Sequence, residues 1–435
     1  MAEGDTVTAN ARVMLVCAPK RGNRTYGMAS AYFKAFAAGR PIARPAVPPL
    51  SLIAAATAIG FASLHMVTPT LPLLATVFDR PAAQVQLVLT LYFLGIAAGQ
   101  LFYGPVSDRF GRRPVLLAGL LLFMGGTVLC GVAPSLPLLI AGRVAQALGA
   151  CAGLVLGRAI IRDVYDREGS ARGIALVMMA MSLAPAVSPA IGAYVSEWFG
   201  WRAMFVLLGG FGAIVLGWTG LRLAETLRQP VPLNVGAIGR SYGMLLRSPA
   251  FVCFALCTAF TSASWFTFIA TAPYLMSETL HQPPSAYGLM IVLPMAAYIL
   301  GNAAAARLAR RAGTVAMVVW GVSLSLLSGL WMLFWCVWPG LSPWTLFVPM
   351  AASSIGNGLS QPAAMGAGLS VYPQVAGTAS GFIGFLQMAI SALGTLAVGL
   401  LPHAGPFAMA GVVLTTQIVA FVLGAIAVRL PSAAR

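Results

Sequence analysis

A short charged segment, residues 104–114, separates two long apolar runs of the sequence. It reads Gly-Pro-Val-Ser-Asp-Arg-Phe-Gly-Arg-Arg-Pro, in a chain of 435 residues of which only 8% are charged. Its carboxylate, Asp108, carries the charge that stabilises the positive end of a helix. Its Arg109 or Arg112 can pair with a second acid, Asp163, farther along the chain. The segment therefore predicts electrostatic contacts between helix ends; a topology anchor with a tight turn is the alternative.

Two ionisable side chains, His65 and Arg143, lie inside apolar runs. A cation about seven residues inside a membrane helix lies roughly 10 Å deep, where it costs several kcal/mol unless it meets a polar partner or a water-filled cavity. We expect Arg143 to line a polar pathway with Gln146, one turn away; extension of its side chain to the membrane surface is the alternative. His65 lies at a similar depth, where desolvation and a nearby arginine oppose its charged form. It is predicted to be either a weak proton carrier or a packing residue.

The groups that most enzymes need are missing from the apolar runs. All ten Asp and Glu residues lie in the N-terminal tail, in loops or close to the ends of the runs. The six cysteines lack metal-ligand spacing, and the sequence has no Walker-type phosphate loop. We therefore expect no enzyme activity, no metal and no cofactor.

The composition places these side chains on helices in a lipid bilayer. Hydrophobic residues make up 59% of the chain, which is more apolar surface than a soluble fold of this size keeps from water. Runs of about 20 apolar residues, the length that crosses a bilayer, occur twelve times between Leu50 and Val428. The sequence predicts an all-α membrane protein with 12 transmembrane helices.

The basic residues predict how these helices are oriented. Nearly all of the 26 Lys and Arg fall in the N-terminal tail, in every second loop and at the C-terminus, and such residues accumulate on the cytoplasmic side of membrane proteins. Both termini are therefore expected in the cytoplasm. Because topology explains the formal charge of +16, we expect the lipid bilayer as a partner and no nucleic acid.

Composition also divides the chain into regions. We expect a disordered cytoplasmic tail at 1–49, a six-helix half at 50–222, a cytoplasmic linker at 223–249, a second six-helix half at 250–430 and a short cytoplasmic tail at 431–435. The N-terminal tail lacks the features of a signal peptide, and translation can start at either Met1 or Met28.

Glycine spacing indicates that the two halves are related. Three pairs share an offset of 202 residues: Gly99 and Gly301, Gly111 and Gly313, Gly192 and Gly394. Parallel halves of this kind bury a substrate site near the membrane midplane and expose it to each side in turn.

Ordered motifs in both halves resemble the major facilitator superfamily. The segment that begins at Gly104 resembles the superfamily pattern G-x-L-x-D-R-x-G-R-R, with Val106 in the leucine position, and its full wording resembles the Bcr/CflA drug-resistance subfamily. Further matches lie at 143–149, 162–163, 184–192, 201–205 and 376–387. The resemblance implies export of drugs or small amphipathic molecules across a bacterial inner membrane, usually in exchange for protons. The proton gradient is then the expected energy source.

The first apolar run departs from the subfamily. There an acidic residue precedes the Pro-x-x-Pro end of the run, whereas here His65 occupies that position before Pro69 and Pro72. The alternatives to a proton antiporter are therefore a gradient-independent facilitator and an exporter of a metabolite or amino acid.

Two segments are expected to take part in conformational change. Asp108 is expected to cap the eleventh helix, which starts near Gly377 on the same side, while the cavity faces outward. In the fifth run, Pro185, Pro189 and Gly192 share one face. We expect the two prolines to bend this helix and the small-residue face to let it approach the other half; an ordinary kinked helix is the alternative. The gating residues are Gly104, Asp108, Arg109, Gly111, Arg112, Asp163, Pro185, Pro189 and Gly192.

Polar and aromatic side chains at membrane depth complete the predicted pathway. Together with 19 methionines they suit an adaptable site for varied ligands, although packing is the alternative for each. The substrate or proton pathway residues are His65, Tyr92, Arg143, Gln146, Trp265, Asn357 and Gln387. We expect a small-molecule substrate and a monomeric protein.

Overall fold

The computed structural model describes residues 48–165, 167–227, 235–337, 340–401 and 405–430. Within them, ten helical runs are long and apolar enough to cross a membrane. One of these, Pro284–Val337, is divided by a non-helical residue, Gly313, and Pro343–Val371 adds a further helix of 29 residues. The predicted all-α membrane fold is confirmed, with twelve long helices in the part of the chain that the structure describes.

We number these helices in chain order. They are α1 Leu50–Phe78, α2 Ala82–Phe110, α3 Arg112–Gly131, α4 Leu136–Val164, α5 Arg167–Phe199, α6 Trp201–Arg222, α7 Pro249–Thr279, α8 284–312, α9 314–337, α10 Pro343–Val371, α11 Ala376–Leu400 and α12 Pro406–Ala427. A shorter helix, Val235–Leu246, lies between α6 and α7. Of the expected N-terminal tail at 1–49, residues 1–47 lie outside the described residues, together with both candidate start sites, and the expected C-terminal tail at 431–435 lies outside them as well.

The two ends of the bundle differ in charge. Arginines cluster where α2 meets α3, where α4 ends, where α8 meets α9 and where α12 ends. We call this the basic end and the opposite one the far end. The basic-end arginines include Arg109, Arg112, Arg113, Arg162, Arg310, Arg311 and Arg429.

The 202-residue glycine repeat corresponds to repeated helix packing. A Cβ on Gly99 of α2 would meet Cys151 of α4, and one on Gly301 of α8 would meet the backbone of α10. Gly192 of α5 likewise lies against α1, and Gly394 of α11 lies against α7. Small residues at equivalent places let helix backbones approach closely, so each half of the fold repeats the same helix contacts.

Two glycines of this repeat also end helices in a conformation that other residues adopt rarely. Gly111 follows α2 with a φ of 100°, and Gly313 separates α8 from α9 with a φ of 81°. A side chain at such a φ is strained by its Cβ. The reversal of direction at the basic end therefore depends on glycine in both halves.

Gly313→Ala should lower the stability of the protein by about 1–2 kcal/mol, because alanine is strained at the positive φ of this position. A steric clash does not contribute, since a Cβ there would meet no atom within 4 Å. Gly217→Ala is the matched control, because Gly217 lies within helix α6 and a Cβ there also meets nothing within 4 Å. Thermal unfolding in detergent measures both. Equal melting temperatures for the two variants would contradict the argument.

Candidate functional site

Arg143 of α4 is completely buried at the meeting point of α1, α2 and α4. Its Nη1 donates to Gln146 Oε1 at 2.6 Å, to Ser63 Oγ at 2.9 Å and to the Ser63 carbonyl at 3.2 Å. Its guanidinium carbon lies 4.0 Å from the centre of the Tyr92 ring, which is a cation–π contact. The structure thus places Arg143, Gln146 and Tyr92 together, and the arginine side chain does not extend to the surface.

A second layer of hydrogen bonds fixes the orientation of these groups. Gln146 Nε2 donates to Thr127 Oγ1 of α3 at 2.8 Å, and the Tyr92 hydroxyl donates to the Gly60 carbonyl of α1 at 2.9 Å. Gly126 lets α3 come this close to α4, because a Cβ there would collide with the Gln146 backbone nitrogen. Four helices therefore contribute to one buried polar cluster. Its hydrogen bonds provide the partners that polar groups need when they are buried.

Among the described residues, no acidic side chain forms an ion pair with Arg143. Arg143 Nε and Nη2 are buried and have no hydrogen-bond partner among the described residues. The groups that Nη1 contacts, Ser63 and Gln146, are neutral. A buried guanidinium without a carboxylate is energetically unfavourable, so this is a site with unused binding capacity for an anion or an acceptor.

His65 lies in α1 at 2% exposure, but it does not join the cluster. Among the described residues no hydrogen bond reaches its ring, and no hydrogen bond or ring contact joins it to Arg143. Helical geometry explains this, because residues turn by about 100° each and Ser63 already faces Arg143. Two residues later, His65 is on the other side of the helix. The sequence predicts that His65 and Arg143 lie at a similar depth in the membrane, but a similar depth does not place two side chains next to each other.

A small apolar cavity, with Tyr92 in its wall, adjoins the cluster. Its volume is ≈ 10 Å³, about the space of one water molecule. It lies between α1, α2 and α4, and Met388 of α11 closes it from the other half. Its wall is formed by Thr57, Gly60, Phe61, Leu64, Tyr92, Phe93, Ile96, Ala150, Leu154 and Met388.

The remaining pathway candidates belong to the second half of the fold. Trp265 of α7 packs with its ring centre 6.3 Å from that of Phe268. Asn357 of α10 accepts a hydrogen bond from Ser325 of α9 at 2.9 Å. Gln387 is in α11, where its backbone carbonyl accepts a hydrogen bond from the Ser391 hydroxyl one turn later. Among the described residues, no hydrogen bond or ring contact joins these three residues to the arginine cluster.

At the basic end, Arg112 is the centre of the charged segment. Its Nη2 lies 2.6 Å from Asp108 Oδ1, and its Nε lies 3.0 Å from Asp163 Oδ2. Its Nη1 donates to Ser107 Oγ at 2.6 Å. Arg109 is exposed over the Phe110 ring. The segment thus joins α2, α3 and the end of α4 within one half.

The cap of α11 by Asp108 is not formed in this structure. The Asp108 side chain is 44% exposed and pairs with Arg112, and no hydrogen bond joins it to α11 among the described residues. A Cβ on Gly104 of α2 or on Gly377 of α11 would meet no atom within 4 Å. Asp108 is therefore free to change partner without breaking into a packed core.

Glu225, which follows α6, caps a different helix from the one predicted for Asp108. Its carboxylate oxygens accept from the backbone nitrogens of Arg112 at 2.9 Å and Arg113 at 3.2 Å. These are the first residues of α3, whose positive end favours an anion. Sequence reasoning missed Glu225, although its place just beyond an apolar run among so few acids was a usable signal.

A second missed acid links the halves at the far end. Glu197 Oε1, near the end of α5, accepts from the Ser285 nitrogen in the first turn of α8 at 2.7 Å. Nearby, a Cβ on Gly288 of α8 would lie 2.8 Å from the Ala190 Cα and 3.2 Å from the Pro189 carbonyl of α5. The Pro185–Gly192 part of α5 thus touches α8 of the other half.

Helices α2 and α11 also cross between the halves. Thr90 and Thr395 share a hydrogen bond of 2.8 Å, and Gln100 fills the space left by Gly384. Toward the basic end, Arg158 of α4 donates weakly to a hydroxyl of α11, the Ser380 Oγ, at 3.4 Å. The halves therefore touch along most of the bundle, through small groups and few hydrogen bonds.

Comparisons with known proteins agree with the geometry. Residues 53–261 match the family model described as the Major Facilitator Superfamily. The chain is 31% identical over 363 residues to Multidrug resistance protein D of Escherichia coli strain K12, covering 82% of this chain and 89% of that protein. It is 30% identical to the Chloramphenicol resistance protein of Pseudomonas aeruginosa, covering 78% and 81%.

A third relative is the Bicyclomycin resistance protein homolog of Haemophilus influenzae, at 25% identity over 76% of this chain and 83% of that protein. Among solved structures, a bacterial homolog to the human lysosomal transporter Spinster, crystallised inward-facing and unoccupied, superimposes with a TM-score of 0.68 at 18% identity. That match covers 89% of this chain and 96% of the other. The arrangement of helices is therefore shared with a transporter of known structure.

Proposed function

The chain belongs to the major facilitator superfamily as a Bcr/CflA-like multi-pass membrane transporter, and we propose that it exports drugs or other small amphipathic molecules in exchange for protons. Proteins of this family and the relatives above are transporters rather than enzymes. In this proposal the protein works as a monomer in the bacterial inner membrane, without catalysis, metal or cofactor. Both termini and the basic end face the cytoplasm, following the distribution of arginine.

The buried arginine cluster is the observation that carries the proposal. Ionisable groups within membrane helices are rare and mark substrate or ion pathways. Arg143 has unpaired donors and lies next to an apolar cavity whose wall includes both halves. A site at the boundary of two related halves is where transporters of this architecture bind their substrate.

Alternating access is supported by the different contacts at the two ends. At the far end, Glu197 caps α8 and Gly288 packs tightly on α5. At the basic end, the contact between the halves includes the long Arg158–Ser380 hydrogen bond, and Asp108 has not engaged α11. We propose that opening of the far end is accompanied by closure at the basic end, with Asp108 then capping α11.

Asp108→Asn should slow export about fivefold to tenfold, because an amide lacks the charge that favours a helix N-terminus. Asp79→Asn is the matched control, since Asp79 is an exposed acid at the far end. Export rates are measured in membrane vesicles at equal protein levels. Normal insertion with unchanged transport in the Asp108 variant would reject the cap.

The direct test is expression in a host that lacks its own efflux pumps. Resistance is measured for amphenicols, bicyclomycin, sulfonamides and dyes, and export of the best compound is then followed in vesicles with and without a pH gradient. We expect export to fall at least tenfold when the gradient is dissipated, and His65→Gln to remove that dependence if His65 carries the proton. Movement that ignores the gradient would exclude antiport, and no resistance to any compound would count against drug export.

A further inference from the structure

The two unused donors of Arg143 form a defined binding edge. Nη1 donates to Ser63 and Gln146, whereas Nε and Nη2 are buried and have no hydrogen-bond partner in the part of the chain that the structure describes. In a planar guanidinium, Nε–H and one N–H of the adjacent Nη2 point the same way, and this fork matches the two oxygens of a carboxylate. The protein thus holds the arginine in place by hydrogen bonds to one nitrogen, and the edge that binds carboxylates has no hydrogen-bond partner among the described residues.

Among the described residues, no carboxylate bonds to this edge. The acids whose side chains the structure describes lie near helix ends or in turns: Asp79, Asp108, Asp163, Glu197, Glu225 and Glu278. The other four acids of the sequence lie in the N-terminal tail or between the apolar runs of α4 and α5. Arg112 shows the contrast, because at the basic end it contacts two carboxylates at once. Arg143 thus lacks the carboxylate partners that Arg112, which is also buried, has.

Tyr92 connects the arginine to apolar space. One face of its ring lies under the guanidinium, and the ring also forms part of the cavity wall. The cavity lining that surrounds it is aliphatic and aromatic, with Leu64 and Phe93 from the first half and Met388 from α11. An occupant that reaches both parts needs an anionic end and an apolar body. Its entry requires α11 to move away, because the present volume is ≈ 10 Å³.

We propose that Arg143 is the anion-binding group of the transport site, and that the preferred exported molecules carry a carboxylate next to an apolar ring or chain. This rests on the proposed export function and narrows its substrate class. The carboxylate supplies the counter-charge that the fold omits, and it leaves with the substrate. The apolar body occupies the space between Tyr92 and Met388 when the halves separate.

Three probes with the same ring system test the charge preference: 1-naphthylacetate, 1-naphthylacetamide and 1-naphthylmethylammonium. Binding to the purified full-length protein in phosphatidylcholine nanodiscs is measured by calorimetry. We expect the carboxylate to bind at least tenfold more tightly than the amide, and the ammonium to bind most weakly. Arg143→Gln should reduce the preference to about twofold or less, whereas Arg429→Gln, which removes an exposed arginine, should keep it.

The ranking of the three probes on the unmodified protein decides the matter even where Arg143→Gln fails to fold. Equal affinities, tighter binding of the ammonium, or no binding of the carboxylate would overturn the proposal. So would loss of the preference when phosphatidylglycerol is added to the nanodiscs, since an anionic lipid would then occupy the site. Export of neutral or cationic drugs without carboxylate preference would leave the proposed function standing, whereas carboxylate binding without any export would overturn that function alone.

Discussion

Arg143→Gln should lower the initial rate of export at least tenfold. Glutamine cannot reach Ser63 and Gln146 with the same geometry, so the hydrogen bonds of 2.6 and 2.9 Å are lost. Each buried acceptor left without its charged donor costs about 1–3 kcal/mol, and the cation–π contact with Tyr92, about 2 kcal/mol when desolvated, disappears as well. The variant loses both the charge and the order of the cluster.

Arg143→Lys separates these two effects. Lysine keeps the positive charge but replaces a planar fork by a single ammonium group, so we expect an intermediate rate. Arg429→Gln controls for loss of one positive charge elsewhere. Transport in proteoliposomes, with the compound that gives the greatest resistance in cells, measures all three variants. A rate within about twofold of the unmodified protein for Arg143→Gln would show that this cluster only stabilises the first half.

The helices and the family were predictable from the sequence because their physical causes are local. Twelve apolar runs of spanning length need no knowledge of neighbours, and α4 begins at Leu136 where the apolar pattern begins. The motifs that begin at Gly104 and Arg143 are contiguous sequence patterns, so they could be recognised without the structure. Burial of Arg143 was also foreseeable, since its depth in an apolar run left it few other outcomes.

Side-chain pairing was harder to predict, because it depends on helical phase and on which loops meet. His65 and Ser63 are two residues apart in α1, yet of the two only Ser63 accepts a hydrogen bond from Arg143. Asp108 was expected to cap a helix, whereas in this structure Glu225 caps α3 and Glu197 caps α8. Both caps join segments about 90 or more residues apart in sequence. A count of ten acids identifies the candidates but not their partners.

Gly192→Ala should destabilise the protein by about 1–3 kcal/mol, the usual result of overpacking, and should reduce export severalfold. A Cβ on Gly192 would collide with the Met66 backbone carbonyl and would lie 2.8 Å from the Met66 Cγ. Backbone cannot rotate out of the way as a side chain can, so α5 has to move off α1. The same part of α5 packs on Gly288 of α8, and its displacement therefore disturbs the contact between the halves.

The other glycines provide a graded comparison. Gly394→Ala, at the equivalent place in the second half, meets the Thr267 Oγ1 at 2.6 Å, and a hydroxyl can rotate away, so a smaller loss is expected. Gly210→Ala in α6 meets nothing within 4 Å, and alanine in a helix interior is more favourable than glycine by up to about 1 kcal/mol. Melting temperatures should therefore rank Gly210→Ala highest, Gly394→Ala next and Gly192→Ala lowest. An undiminished melting temperature and export rate for Gly192→Ala would mean that α5 and α1 can separate freely, and the far-end contact would then have to depend on Glu197 and Gly288 alone.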